Sequence, residues 1–232
     1  MKNKNRITLG LLLTAIAFVI SNLLGSRIHL NSRFLPYSFV SQTSLLIISI
    51  GLIYGMRRYV NYKISLPKFK TIFKPILLAL LATIVVNALM GALTVALGGK
   101  GETHIAFARM SPLQIFLFVF IYASIAEELL FRGFLMNILS PLYSKGIKIF
   151  KRHISVPVLI SALVFGLAHL ILITTGAGGF FLMRTVIFTT VLGIIAGYYQ
   201  EKYDNNAYSI IVHMAGNFMG LLATILVHVS GI

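Results

Sequence analysis

Seven long apolar runs, at roughly 7–25, 38–56, 74–98, 112–138, 156–175, 180–199 and 208–230, constrain this chain more than any other feature. Each approaches or exceeds the roughly 20 residues a helix needs to cross a bilayer. Hydrophobic residues make up 58% of the chain and charged residues only 11%, against about 25% charged in a soluble domain. So little polar surface cannot cover a water-soluble globule, and the bilayer is the natural solvent. No hydrophilic stretch is long enough for a separate soluble domain. The expected architecture is an all-α, polytopic transmembrane bundle of seven spans, forming one membrane-embedded domain over 1–232 with its motif core at about 112–230. Lys2, Lys4 and Arg6 precede the first run as they would in a signal peptide. No convincing small-residue cleavage site closes that run and six more spans follow, so it reads as a retained first helix.

The net charge is +15, from 20 Lys and Arg against 5 Asp and Glu. These cations sit mostly in short loops, where they act as topology signals and contacts to anionic head groups. Scattered in this way they form no continuous groove for nucleic acid, which is excluded as a partner. With a cytoplasmic N-terminus, the inner side holds Lys2, Lys4, Arg6, Arg57, Arg58, Lys63, Lys68, Lys70, Lys74, Lys145, Lys148, Lys151, Arg152 and Lys202. The outer side holds only Arg27, Arg33, Lys100, Arg109 and Arg184. The bias predicts a multi-pass cell-membrane protein with its N-terminus inside and its C-terminus outside. Segment 134–150 has room for a short interfacial helix. Gly51/Gly55, Gly193/Gly197 and Gly216/Gly220 have small-xxx-small spacing, read as ordinary helix packing. Gly176, Gly178 and Gly179 mark a tight turn.

Three of the five acids, Glu102, Glu201 and Asp204, lie in loops. Glu127 and Glu128 stand side by side within the fourth run, where a carboxylate costs roughly 2.5–3.5 kcal/mol even on the gentler insertion scale. Arg132 follows Glu128 by four residues and can pair with it on one helix face. Glu127 points elsewhere and needs another partner. Of six histidines, His29, His104 and His153 fall in loops and His228 near the end of the last span, whereas His169 and His213 lie inside spans five and seven. Asn217 is one turn from His213 on the same face. A lone apolar-face histidine is ordinarily a packing residue, but two histidines, an asparagine and a glutamate pair on three spans point to a site in the bundle interior. The chain has no cysteine, which excludes disulfides, thiolate zinc sites and a cysteine nucleophile. Ser124 and Ser161 lack the glycine-flanked elbow of a serine hydrolase, and an HExxH zinc motif is absent.

Glu127-Glu128-xxx-Arg132, Phe165-xxx-His169 and His213-xxx-Asn217, in this order and each within a span, resemble the CPBP family. This group contains the CAAX-type prenyl-protein endopeptidases and the bacterial Abi-type proteins, often called intramembrane metalloproteases. The resemblance covers about 127–217. It implies a fold usually described with eight helices, against the seven counted here, and hydrolysis of a peptide bond in a membrane-associated peptide or protein by an activated water. Glu127 would be the general base aided by His169. His213 and Asn217 would stabilise the oxyanion, and Glu128 with Arg132 and Phe165 would support the site. The same residues suit a mechanism without a cofactor, or a zinc held by Glu127, His169 and His213. In bacterial relatives the resemblance points to bacteriocin self-immunity or peptide processing. The competing expectation is a non-catalytic membrane protein, either an immunity or scaffold protein or a small transporter subunit.

Overall fold

A computed structural model describes residues 3–100, 102, 110–149 and 151–230. Lys2, His104 and Arg109 lie outside the described residues. Among the described residues, seven helices run through the chain: α1 (Asn3–Arg27), α2 (Phe39–Gly55), α3 (Phe69–Ala96), α4 (Pro112–Met136), α5 (Val156–Thr175), α6 (Gly179–Tyr203) and α7 (Ala207–Ser230). All but α2 are long and apolar enough to cross a membrane, and α2 is a shorter apolar helix of 17 residues. The seven apolar runs are therefore seven helices of an all-α bundle, a multi-pass membrane protein.

The packing is that of a protein dissolved in lipid. Leu12, Ile16, Val19 and Leu23 of α1 are exposed, as are Leu77, Leu81 and Leu89 of α3. The buried face of α1 is Gly10, Thr14, Ala17, Ser21 and Gly25. Small residues let backbones approach where lipid gives helices no hydrophobic reason to associate. A Cβ on Gly10 would lie 2.4 Å from Ile138, and one on Gly25 would lie 2.7 Å from Ser41. Of the three glycine pairs, Gly193 and Gly197 pack against α4 and α5, and Gly216 packs against Leu192. Gly51 and Gly55 have no atom within 4 Å of an added Cβ, so that pair makes no helix contact among the described residues.

Segment 134–150 departs from expectation. Instead of an interfacial helix, a short 3-10 turn (Ser140–Leu142) leads into an antiparallel hairpin of β1 (Gly146–Ile149) and β2 (Arg152–Ser155). Alternation of Ile147, Lys148 and Ile149 suits a strand with two unlike faces. Gly146 opposes Ser155, and a Cβ there would meet the Ile154 carbonyl at 2.2 Å. Ser155 then accepts from the Val158 amide and caps α5.

Contacts between loops show which of them share a face. Arg6 bonds the carbonyls of Tyr59 and Asn137 and the Ser140 hydroxyl. Lys63 pairs with Asp204, the Asn206 amide donates to the Lys63 carbonyl, and Asn205 is bonded to Ser65. At the opposite end Gln114 donates to the carbonyls of Arg33 and Phe34, and the Glu102 carboxylate accepts from the Gly178 amide. Between the ends, α1 packs on α2 and α4, while α3 packs on α6 and α7. Phe18, Ser21 and Asn22 of α1 and Thr83, Ile84 and Asn87 of α3 line one large cavity.

Candidate active site

Helix α4 is not wound uniformly. Its segments Ile115–Ala123 and Leu129–Met136 are π-helical, and the α-helical Ser124–Glu128 between them carries both glutamates. π turns are rare and concentrate at functional sites. The wider winding leaves main-chain carbonyls in need of partners, and buried side chains supply them. Asn137 and Gln200 both donate to the Arg132 carbonyl, at 3.0 and 2.9 Å. Ser124 and Asn217 both reach the Val119 carbonyl, each at 3.4 Å.

Glu128 and Arg132 pair at 2.9 Å, as their spacing predicts, with 1% and 0% of their side chains exposed. The guanidinium lies 4.5 Å over the Phe165 ring. A Cβ on Gly193 of α6 would stand 2.4 Å from Arg132 Nη2, so only glycine leaves room for this cation. Glu128 has a second duty that its spacing from Arg132 does not reveal. Its Oε1 accepts from His213 Nδ1 at 2.9 Å. That bond fixes the ring and turns Nε2 toward Glu127, whose Oε2 is 3.9 Å away.

His169 begins the stretch where α5 tightens from an α-helix to a 3-10 helix ending at Gly176, a left-handed residue with φ 82°. The glycine cluster is the expected turn. Nδ1 of His169 donates to the Phe165 carbonyl at 2.9 Å, which makes Nε2 the acceptor of the neutral ring. Phe165 meets the rings of His169 and His213 edge-on, at 5.0 and 5.4 Å, and so spaces the two histidines. Asn217 donates to Ser124 Oγ at 3.2 Å.

Glu127, His169, His213 and Asn217 all face the same cavity of about 1170 Å3, which extends to Arg33, Gln114 and Arg184. It exceeds the roughly 300–1,000 Å3 of small-molecule pockets and can take a peptide segment. The site therefore gathers all the residues expected from sequence, and it adds α2 and α6 to spans four, five and seven. Gln42 of α2, which donates to Glu127 Oε1 at 2.9 Å, was not foreseen. Nothing in the sequence distinguishes Gln42 from other span-end polar residues. Ser124 enters here as the partner of Asn217. Among the described residues, no three His, Cys, Asp or Glu side chains form a group that could hold a metal ion. Glu127, His169 and His213 do not fit a ready-made zinc site.

Residues 109–219 match the family model described as Type II CAAX prenyl endopeptidase Rce1-like. No curated protein and no solved structure matches the chain.

Proposed function

Since residues 109–219 resemble the CAAX-type intramembrane proteases, we propose that the chain hydrolyses a peptide bond of a membrane-associated peptide or protein, using Glu127 as the general base. One observation carries this reading: Glu127 Oε2 and His213 Nε2 stand 3.9 Å apart on the wall of a peptide-sized cavity. Glu127 takes one proton from a water, and His169 Nε2 accepts a hydrogen bond from the same water. The water oxygen attacks the scissile carbonyl, and Glu127 returns its proton to the leaving amine. His213 donates to the oxyanion, joined by Asn217 once its Nδ2 gives up the 3.4 Å bond to the Val119 carbonyl. Because His213 Nδ1 already donates to Glu128, donation from Nε2 requires a proton on each ring nitrogen. Bacteriocin self-immunity and the processing of secreted peptides are roles consistent with such an enzyme in a single membrane domain.

No step is routed through a metal. The expected result is that prolonged chelation leaves most cleavage of an internally quenched peptide in place. Elemental analysis before and after treatment checks it. Stoichiometric zinc whose removal abolishes cleavage, and which alone restores it, would make Glu127, His169 and His213 its ligands.

The same reading includes an orientation. The face that joins the start of α1, the 56–68 loop, the hairpin and the α6–α7 turn carries most of the loop cations. We assign it to the cytoplasm, so the end of the cavity lined by Arg33, Gln114 and Arg184 lies on the outer side. A cysteine at Lys70 and a reporter after residue 232 are expected to respond from opposite sides of the membrane. Response from the same side would refute the orientation.

A further inference from the structure

The amide of Gln42 stands at a position that packing does not explain. It lies in the first turns of α2, outside the segment that matches the protease family. Its Nε2 crosses to α4 and donates to Glu127 Oε1 at 2.9 Å. Its own Oε1 is buried with no hydrogen-bond partner among the described residues, a desolvation cost that leucine would not incur. The reverse orientation would set two acceptor oxygens against each other, so the chemistry of an ionised Glu127 selects the observed one.

We propose that Gln42 is a positioning residue for the general base, an inference that rests on the role assigned to Glu127. By occupying Oε1, it leaves Oε2 as the oxygen that meets the water, on the side of His213. Once Glu127 has taken the proton on Oε2, its Oε1 remains an acceptor, so the Gln42 amide can keep donating to it. Gln42 thus holds the base in one pose in both protonation states. The bond needs the full length of the glutamine side chain, since an asparagine is one methylene shorter.

The test measures cleavage of an internally quenched peptide library in detergent micelles, with one farnesylated member. Gln42→Leu is expected to lower kcat about 10–100-fold with KM little changed, the range for a hydrogen bond to a charged group. In Gln42→Glu, the ratio of variant to wild-type activity is expected to rise as pH falls, because the introduced carboxyl group, once protonated, can donate as the amide did. Tyr122→Phe removes another bond between α4 and α2, from Tyr122 to Thr43 at 2.8 Å, and is expected to leave kcat in place. A loss confined to KM, or an equal loss in Tyr122→Phe, would reduce Gln42 to a helix-docking residue and overturn the proposal. A readout independent of turnover is labelling by a hydrophobic carbodiimide mapped by mass spectrometry. Glu127 is expected to react several-fold faster in Gln42→Leu, and an unchanged rate overturns the proposal. If Glu127→Gln cleaves normally, the base assignment itself fails. If it is inactive while Gln42→Leu is fully active, only the role of Gln42 fails.

Discussion

Glu127→Gln is expected to fold as the wild type does and to lose about 10²–10⁴-fold in kcat, the range that a positioned general base supplies. The substitution keeps the shape of the side chain. A glutamine at 127 can still accept from Gln42 Nε2, so the contact between α2 and α4 survives. The variant also removes a charge from a low-dielectric interior, and its thermal midpoint in detergent is expected to match or exceed that of the wild type. Cleavage rates and thermal unfolding measured on the same preparation decide the matter. Normal turnover by folded protein would remove Glu127 from the chemistry and return the site to a scaffold or binding role.

The second large effect separates Glu128 from Arg132. Both are buried, and removing either strands the other's charge, at a cost of about 3–5 kcal/mol. Glu128→Gln and Arg132→Gln are therefore expected to fall together in stability and expression. They are expected to part in specific activity. Glu128→Gln weakens the bond that orients His213, whereas Arg132→Gln leaves the Glu128–His213 contact of 2.9 Å in place. Per folded molecule, Glu128→Gln should be the poorer enzyme by at least tenfold. The double variant Glu128→Leu/Arg132→Met should recover much of the stability, since an apolar pair of similar volume needs no compensation. It should not recover activity. Equal specific activities in the two single variants would mean that Glu128 acts only as a counter-ion.

The helices were legible because lipid imposes a simple demand. Every span must be apolar for about 20 residues, and six of the seven runs met that demand, with α2 shorter at 17 residues. The site was legible because carboxylates and imidazoles are costly in the same medium, so their mere presence at 127, 128, 169 and 213 marked them. The i,i+4 pair of Glu128 and Arg132 followed from helix period. What helix period could not give was contact between helices. Glu128 touches His213 across 85 residues of sequence, and Gln42 touches Glu127 across another 85. The π winding of α4 was also hidden, because a run such as Ile115–Ala123 is equally apolar at either pitch. The hairpin at 146–155 was read as helical space because its basic residues were weighed as topology signals and its alternation was not.

The two ends of the bundle differ in how they are tied. At one end Arg6, Lys63, Asn205 and Asn206 stitch the start of α1, the α2–α3 connection and the α6–α7 turn into one network. Away from it, α1 and α3 both line the cavity, each braced by different neighbours. Such a bundle is expected to be stiffest along the sewn base, while the opposite end is held by the Gln114 and Glu102 contacts. Swelling to admit a longer or bulkier guest is expected to fall on that end, where α1 and α3 rest on different neighbours. His213 stands only six residues from the start of α7, near the seam, so its grip on Glu128 is insulated from that give. Tolerance for guests of unequal size and constancy of the reacting geometry can then reside in one small molecule.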